Sequence, residues 1–124
     1  MTLQECYQAL GGDYDEVLHR LMMPKLVDKF LGKFPADGCY AALCAAMEAG
    51  QRAEAFRAAH TLKGVCQNLS LGNLLHTIAP LTELLRPETD AIPAQAQAMM
   101  ASVRESYDAT LQTIACYQQS NISG

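Results

Sequence analysis

Apolar residues recur along most of this chain at steps of three and four, the spacing that lines one face of an α-helix. Ile92, Ala96, Met99, Met100, Val103, Tyr107, Leu111 and Ile114 keep that step almost to the C-terminus. Leu74, Leu75, Ile78, Leu81 and Leu85 form another stripe between Asn73 and Arg86, with Pro80 inside it predicting a kink or a break. Pro87 closes that element, and Thr89 or Asp90 is expected to cap the last helix with Pro93 in its first turn. Upstream, Arg52 to Leu69 reads as one long helix, joined to the next by a turn at residues 70–72 into an antiparallel hairpin. No stretch shows the period of two that a half-buried strand requires.

The N-terminal third is cut into shorter pieces. Thr2 and Glu5 have the spacing of a capping box, so a short helix is expected to run to Leu10 and stop at Gly11-Gly12. Asp13 and Glu16 repeat the signal before Val17, Leu18 and Leu21. Pro24 starts a new helix over 25–33, with Leu26, Val27, Phe30 and Leu31 facing inward. Residues 34–38 are a connection, and Asp37 within it can cap the next element. That element is an alanine-rich helix over 39–49, which presents Leu43, Ala46 and Met47 and ends at Gly50. The fold class is therefore all-α. It is an up-and-down antiparallel helical bundle of four principal helices, with short helices at its N-terminal side.

Composition narrows the class further. Apolar residues make up 50% of the 124, enough for a core without staples, so residues 1–124 are read as a single domain. A net charge of −4 without a basic patch argues against nucleic acid as a partner. No apolar run is long enough for a membrane span, and the N-terminus lacks the pattern of a signal peptide, so the expected location is cytoplasmic. Cys6, Cys39, Cys44, Cys66 and Cys116 are odd in number and contain no Cys-x-x-Cys pair. They are read as buried, reduced thiols rather than as a disulfide framework or a metal site.

Candidate chemistry sits on the helix over 52–69. Each residue advances roughly 100° around a helix, which gathers Ala55, Ala59, Leu62, Cys66 and Leu69 into an apolar stripe, with Ala58 and Val65 at its edge. His60, Lys63, Gly64 and Gln67 fall on the opposite side, and Phe56 joins them one turn earlier. A titratable nucleophile thus faces water beside a cation and a residue without a side chain. Glycine inside a helix costs about 1 kcal/mol relative to alanine, so Gly64 calls for a reason beyond helix formation.

Ala59-His60-Thr61-Leu62-Lys63-Gly64, with Leu69 and Leu71 further on, resembles the signature of histidine-containing phosphotransfer domains. These are helical-bundle carriers in multistep two-component signalling. The resemblance implies that His60 is the phosphorylated histidine, with Lys63 and Gly64 as its characteristic neighbours. It implies receiver domains of response regulators or hybrid histidine kinases as partners. Thr82 and Arg86 stand at offsets from His60 like those of polar and basic residues near the phosphosite in some members, and with Phe56 they are assigned to docking. Ser70 departs from the family's frequent glycine, and Cys66 from its usual small residue; both bear on helix ending and packing rather than on the His60 face.

The chemistry is coherent. Neutral imidazole is a good nucleophile toward phosphorus, and a free ring with a pKa of about 6.5 is mostly neutral at cytosolic pH. Phosphoryl transfer depends on positioning and on stabilising charge on the equatorial oxygens. Lys63 can reach those oxygens, Gln67 can hydrogen-bond the ring or the phosphoryl group, and Gly64 leaves room for a partner's loops. A kinase is excluded because no nucleotide loop is present, so the chain is read as a phosphocarrier and not an enzyme, with no cofactor and no metal. A di-iron bundle would need more than the single Glu16-x-x-His19 pair. The alternative that stays open is a helical module that docks receiver domains without carrying phosphate.

Overall fold

In the computed structural model, which describes the backbone of residues 1–123 and the side chains of residues 1–120, the N-terminal capping signals act as their spacing predicts. Thr2 Oγ1 accepts from the Glu5 amide at 3.1 Å while Glu5 Oε1 accepts from the Thr2 amide at 2.8 Å, opening α1 (Leu3–Ala9). Asp13 accepts from the Glu16 amide and opens α2 (Tyr14–Leu21), and Pro24 is the first residue of α3 (Pro24–Lys33). A 3-10 turn at Phe34–Ala36 leads to α4 (Cys39–Glu48), where the Asp37 carboxylate accepts from the Cys39 amide. The remaining helices are α5 (Arg52–Leu69), α6 (Gly72–Leu84) and α7 (Ala94–Ser123). Among the described residues the secondary structure is entirely helical.

Helices α4 to α7 are the principal bundle: α5 packs on α4 and α6, and α6 packs on α7. The circuit closes between α7 and α4. Tyr40 stacks on Tyr107 with ring centroids 3.8 Å apart, and Gln97 near the start of α7 donates to the Met47 carbonyl near the end of α4. These two contacts make α4 and α7 antiparallel. The core holds the stripes read from the sequence: Ala55, Ala59, Leu62, Cys66 and Leu69 from α5, Leu74, Ile78 and Leu81 from α6, and Val103, Tyr107 and Ile114 from α7. Each large aliphatic side chain removed from water contributes about 1.5–3 kcal/mol.

The short helices are fastened to one end of the α5–α6 hairpin by backbone contact. Helix α5 ends at Ser70, which adopts the left-handed conformation (φ 55°) where glycine is the usual choice. Its hydroxyl accepts from the Asp13 amide at 2.8 Å, so the serine supplies a bond that glycine could not. Asn73 donates through its amide to the Leu10 carbonyl and through its side chain to the Ala9 carbonyl. The chains approach so closely that a Cβ on Gly12 would lie 1.9 Å from the Ser70 carbonyl oxygen, and one on Gly72 would lie 1.9 Å from that of Gly11.

Four expectations need correction. Phe30 is exposed rather than inward, because α3 meets the bundle along the narrow line of Val27, Leu31 and Phe34 and Phe30 falls at its rim. Cys116 is exposed, on the outer side of α7. Of the kink or break expected at Pro80, the break is absent: helix α6 runs through Pro80, and Pro80 and His76, whose carbonyl loses its amide partner, both face solvent. Neither Thr89 nor Asp90 caps α7, which begins after Pro93, whose carbonyl accepts from Ala96. Thr89 instead accepts from Arg52.

Candidate functional site

Helix α5 turns its buried stripe to α4 and α6, which forces the remaining arc outward. His60, Gly64 and Gln67 are exposed there, and Phe56 and Lys63 are half-buried at the border with α6. The imidazole of His60 lies along the Phe56 ring, with centroids 5.7 Å apart and planes inclined by 25°. The Arg86 guanidinium covers the same phenyl ring, its Cζ 5.2 Å from the centroid, in a cation–π arrangement. Phe56 is thus the spacer that holds a cation from the end of α6 beside the histidine of α5.

Glu83 completes this ring of groups, and nothing in the sequence pattern assigned it a role. Its Oε2 accepts from Arg86 Nε at 2.8 Å, and its Oε1 accepts from Arg86 Nη2 at 3.2 Å. The same Oε1 lies 3.8 Å from Lys63 Nζ. Hydrogen bonds from Arg86, then the charges of Arg86, Lys63 and His60, hold the Glu83 carboxyl below its ordinary range. The Glu83/Arg86 spacing of three was a readable helix pair. The link to Lys63 crosses between helices and left no local trace.

Gly64 stands clear of every neighbour: a Cβ built there would have nothing within 4 Å. No close helix crossing requires it. Beside it, Arg20 of α2 donates to the main-chain carbonyls of Gln67 and Asn68 at the end of α5, where a cation meets the negative pole of the helix. Arg20, Gly64, Gln67 and Asn68 line a shallow depression next to the histidine face. Glu16 is spent on Arg20 at 2.6 Å, and His19 is exposed, so the Glu16-x-x-His19 pair points into no bundle interior.

Thr82 does not reach this surface. It is fully buried and donates its hydroxyl to the Ile78 carbonyl at 2.8 Å, because α6 packs against α5 and α7 at once and its buried arc is wider than its aliphatic stripe. Its expected docking role is withdrawn. Arg86 is exposed, and its main chain is fixed from α5 by Arg52. That guanidinium, 8% exposed, donates to the carbonyls of Leu84, Leu85, Arg86 and Ala91 and to the Thr89 hydroxyl. Five donors meet five acceptors. Arg52 was read from the sequence as no more than a helix start.

The Hpt domain family model matches residues 25–113, most of the chain, and the chain belongs to that family. Membership makes it a component of the phosphorelay of two-component signalling, a phosphocarrier class whose members have no catalytic activity of their own and work with receiver-type partners. Comparison with curated proteins and with solved structures gives no match. Among the described residues, no helix is long and apolar enough to cross a membrane, and no three His, Cys, Asp or Glu side chains gather as a metal ion would require.

Proposed function

We propose that His60 accepts a phosphoryl group from one receiver domain and donates it to another, with residues 1–124 acting as one unit. The observation that carries this reading is the open space around Gly64, one turn from an exposed histidine, on a helix whose opposite face is wholly buried. A glycine with no packing duty in mid-helix is explained by clearance for an incoming partner.

In the transfer, the Nε2 lone pair of neutral His60 attacks phosphorus of the receiver's aspartyl phosphate. The P–O bond breaks, the aspartate leaves as a carboxylate, and Nδ1 keeps its proton. Lys63 supplies positive charge near the transferred oxygens, Phe56 holds the imidazole plane, and Gln67 offers a hydrogen-bonding side chain on the same face. The divalent cation that such a step uses comes with the receiver's acidic pocket.

The test is direct. The protein is incubated with a receiver domain charged by acetyl phosphate, and label stable to base and labile to acid is tracked. The expected result is label on wild type and none on His60→Gln. Label on His60→Gln at the wild-type rate sinks the assignment. Wild type that binds receiver but takes no label supports the docking module instead.

A further inference from the structure

We propose that Glu83 is a built-in counter-anion that occupies Lys63 and Arg86 while His60 is unmodified, surrenders Lys63 to the phosphoryl group, and so keeps phosphohistidine easy to discharge. This deepens the reading of His60 as phosphoacceptor and rests on it. The two ion pairs are unequal. Arg86 holds Glu83 through two hydrogen bonds at 2.8 and 3.2 Å, whereas Lys63 stands 3.8 Å away. Lys63 is the partner that can leave.

It sits one turn from His60 on α5, so a doubly charged phosphoryl group on the imidazole competes for its ammonium against a singly charged carboxylate. Arg86 stays on Glu83 and on the Phe56 ring. Glu83 thus keeps Arg86 on itself and competes with the phosphoryl group for Lys63. That competition opposes the loaded state and favours onward transfer. A site built for tight retention would place a neutral residue there. The feature fits a carrier, which must both load and unload. Glu83 acts through Lys63 and is a positioning residue.

The test is a charge series at this exposed position. Wild type, Glu83→Gln and Glu83→Lys are each equilibrated with a receiver charged by acetyl phosphate, and the ratio of phosphohistidine to receiver phosphate is measured. The ratio is expected to rise about three- to fivefold in Glu83→Gln, the scale of an exposed charge interaction, and further in Glu83→Lys. In 1 M salt, where the Debye length is about 3 Å, the differences should collapse toward one. Lys63→Met placed in the Glu83→Gln background should erase most of the gain. A merely structural role would lower loading, not raise it. A flat or falling ratio across the series, with wild type labelled normally, overturns the role of Glu83 and leaves His60 standing. Absence of label on wild type overturns both.

Discussion

Two places in this bundle use glycine within a few residues of a helix end or a helix face, for opposite reasons. At the junction of the α1–α2 loop with the α5–α6 turn, an added Cβ on Gly12 or Gly72 would sit 1.9 Å from a backbone oxygen. At Gly64, in the middle of α5, it would meet nothing within 4 Å. The first region is dictated by the chain's own packing. The second is free of any such demand, and its glycine costs helix stability. On the proposed reading, the glycine there answers to a partner rather than to the fold.

Substitutions can separate these regions, and the largest effect belongs to the junction. Gly72→Ala drives a methyl into the Gly11 carbonyl, and two backbones must part to admit it. Overpacking of this kind costs typically 1–3 kcal/mol and occasionally more, and with rigid backbone on both sides we expect about 3 kcal/mol, read as a lowered urea midpoint. An unchanged midpoint would mean that the junction is loose.

The buried side of α5 gives the next effect. Burial pushes the Cys66 thiol from 9.0 up to about 12. The unfolded chain therefore releases this proton first, so the associated stability is complete below pH 9 and declines as pH rises toward 12. By pH 10.5 the loss from this thiol should be about 2 kcal/mol. Cys66→Ala lowers stability at every pH by leaving a small void, and its fall between pH 8 and 10.5 should be shallower than that of wild type.

On the open side, Gly64→Gln should raise the melting temperature slightly, glutamine being the better helix former by roughly 0.5 kcal/mol or more. Transfer from a charged receiver should drop at least about tenfold, for which an added barrier of about 1.4 kcal/mol suffices. A variant that melts well below wild type yet transfers normally per folded molecule would erase the contrast with Gly72. The smallest effect is at Ser70. Glycine there relieves the left-handed backbone but deletes the bond from the Asp13 amide, so Ser70→Gly should move stability by less than about 1 kcal/mol in either direction.

Features whose cause is local were legible in the sequence. The Thr2 capping box, the Asp13 cap, the start at Pro24, and the stripes of α5, α6 and α7 depend on residues within a turn or two of one another, and so did the His60, Lys63, Gly64 face. What escaped depends on neighbours distant in the chain. Thr82 was assigned to docking by its offset from His60, but α5 and α7 together bury it. Phe30 looked inward because the periodicity of α3 does not say how narrow its contact is. Glu83 and Lys63 are paired across two helices, and Arg52 serves carbonyls more than thirty residues away. The approach of Gly12 to Ser70 joins segments 58 residues apart and has no signature except the glycine itself.

Arg52 has a mechanical consequence. Its stem grows from the first turn of α5, and its five hydrogen bonds grip the exit of α6 and the chain beyond it. The backbone of Arg86 is therefore anchored to the same rod that carries His60. If α6 slides or rocks against α5, as packed helices do on the microsecond scale, its far end can drift while the exit that bears Arg86 stays clamped. His60 and Arg86 are surveyed from one datum. Their separation is then insensitive to breathing of the bundle, and an encounter with a partner need not wait for the helices to come into alignment.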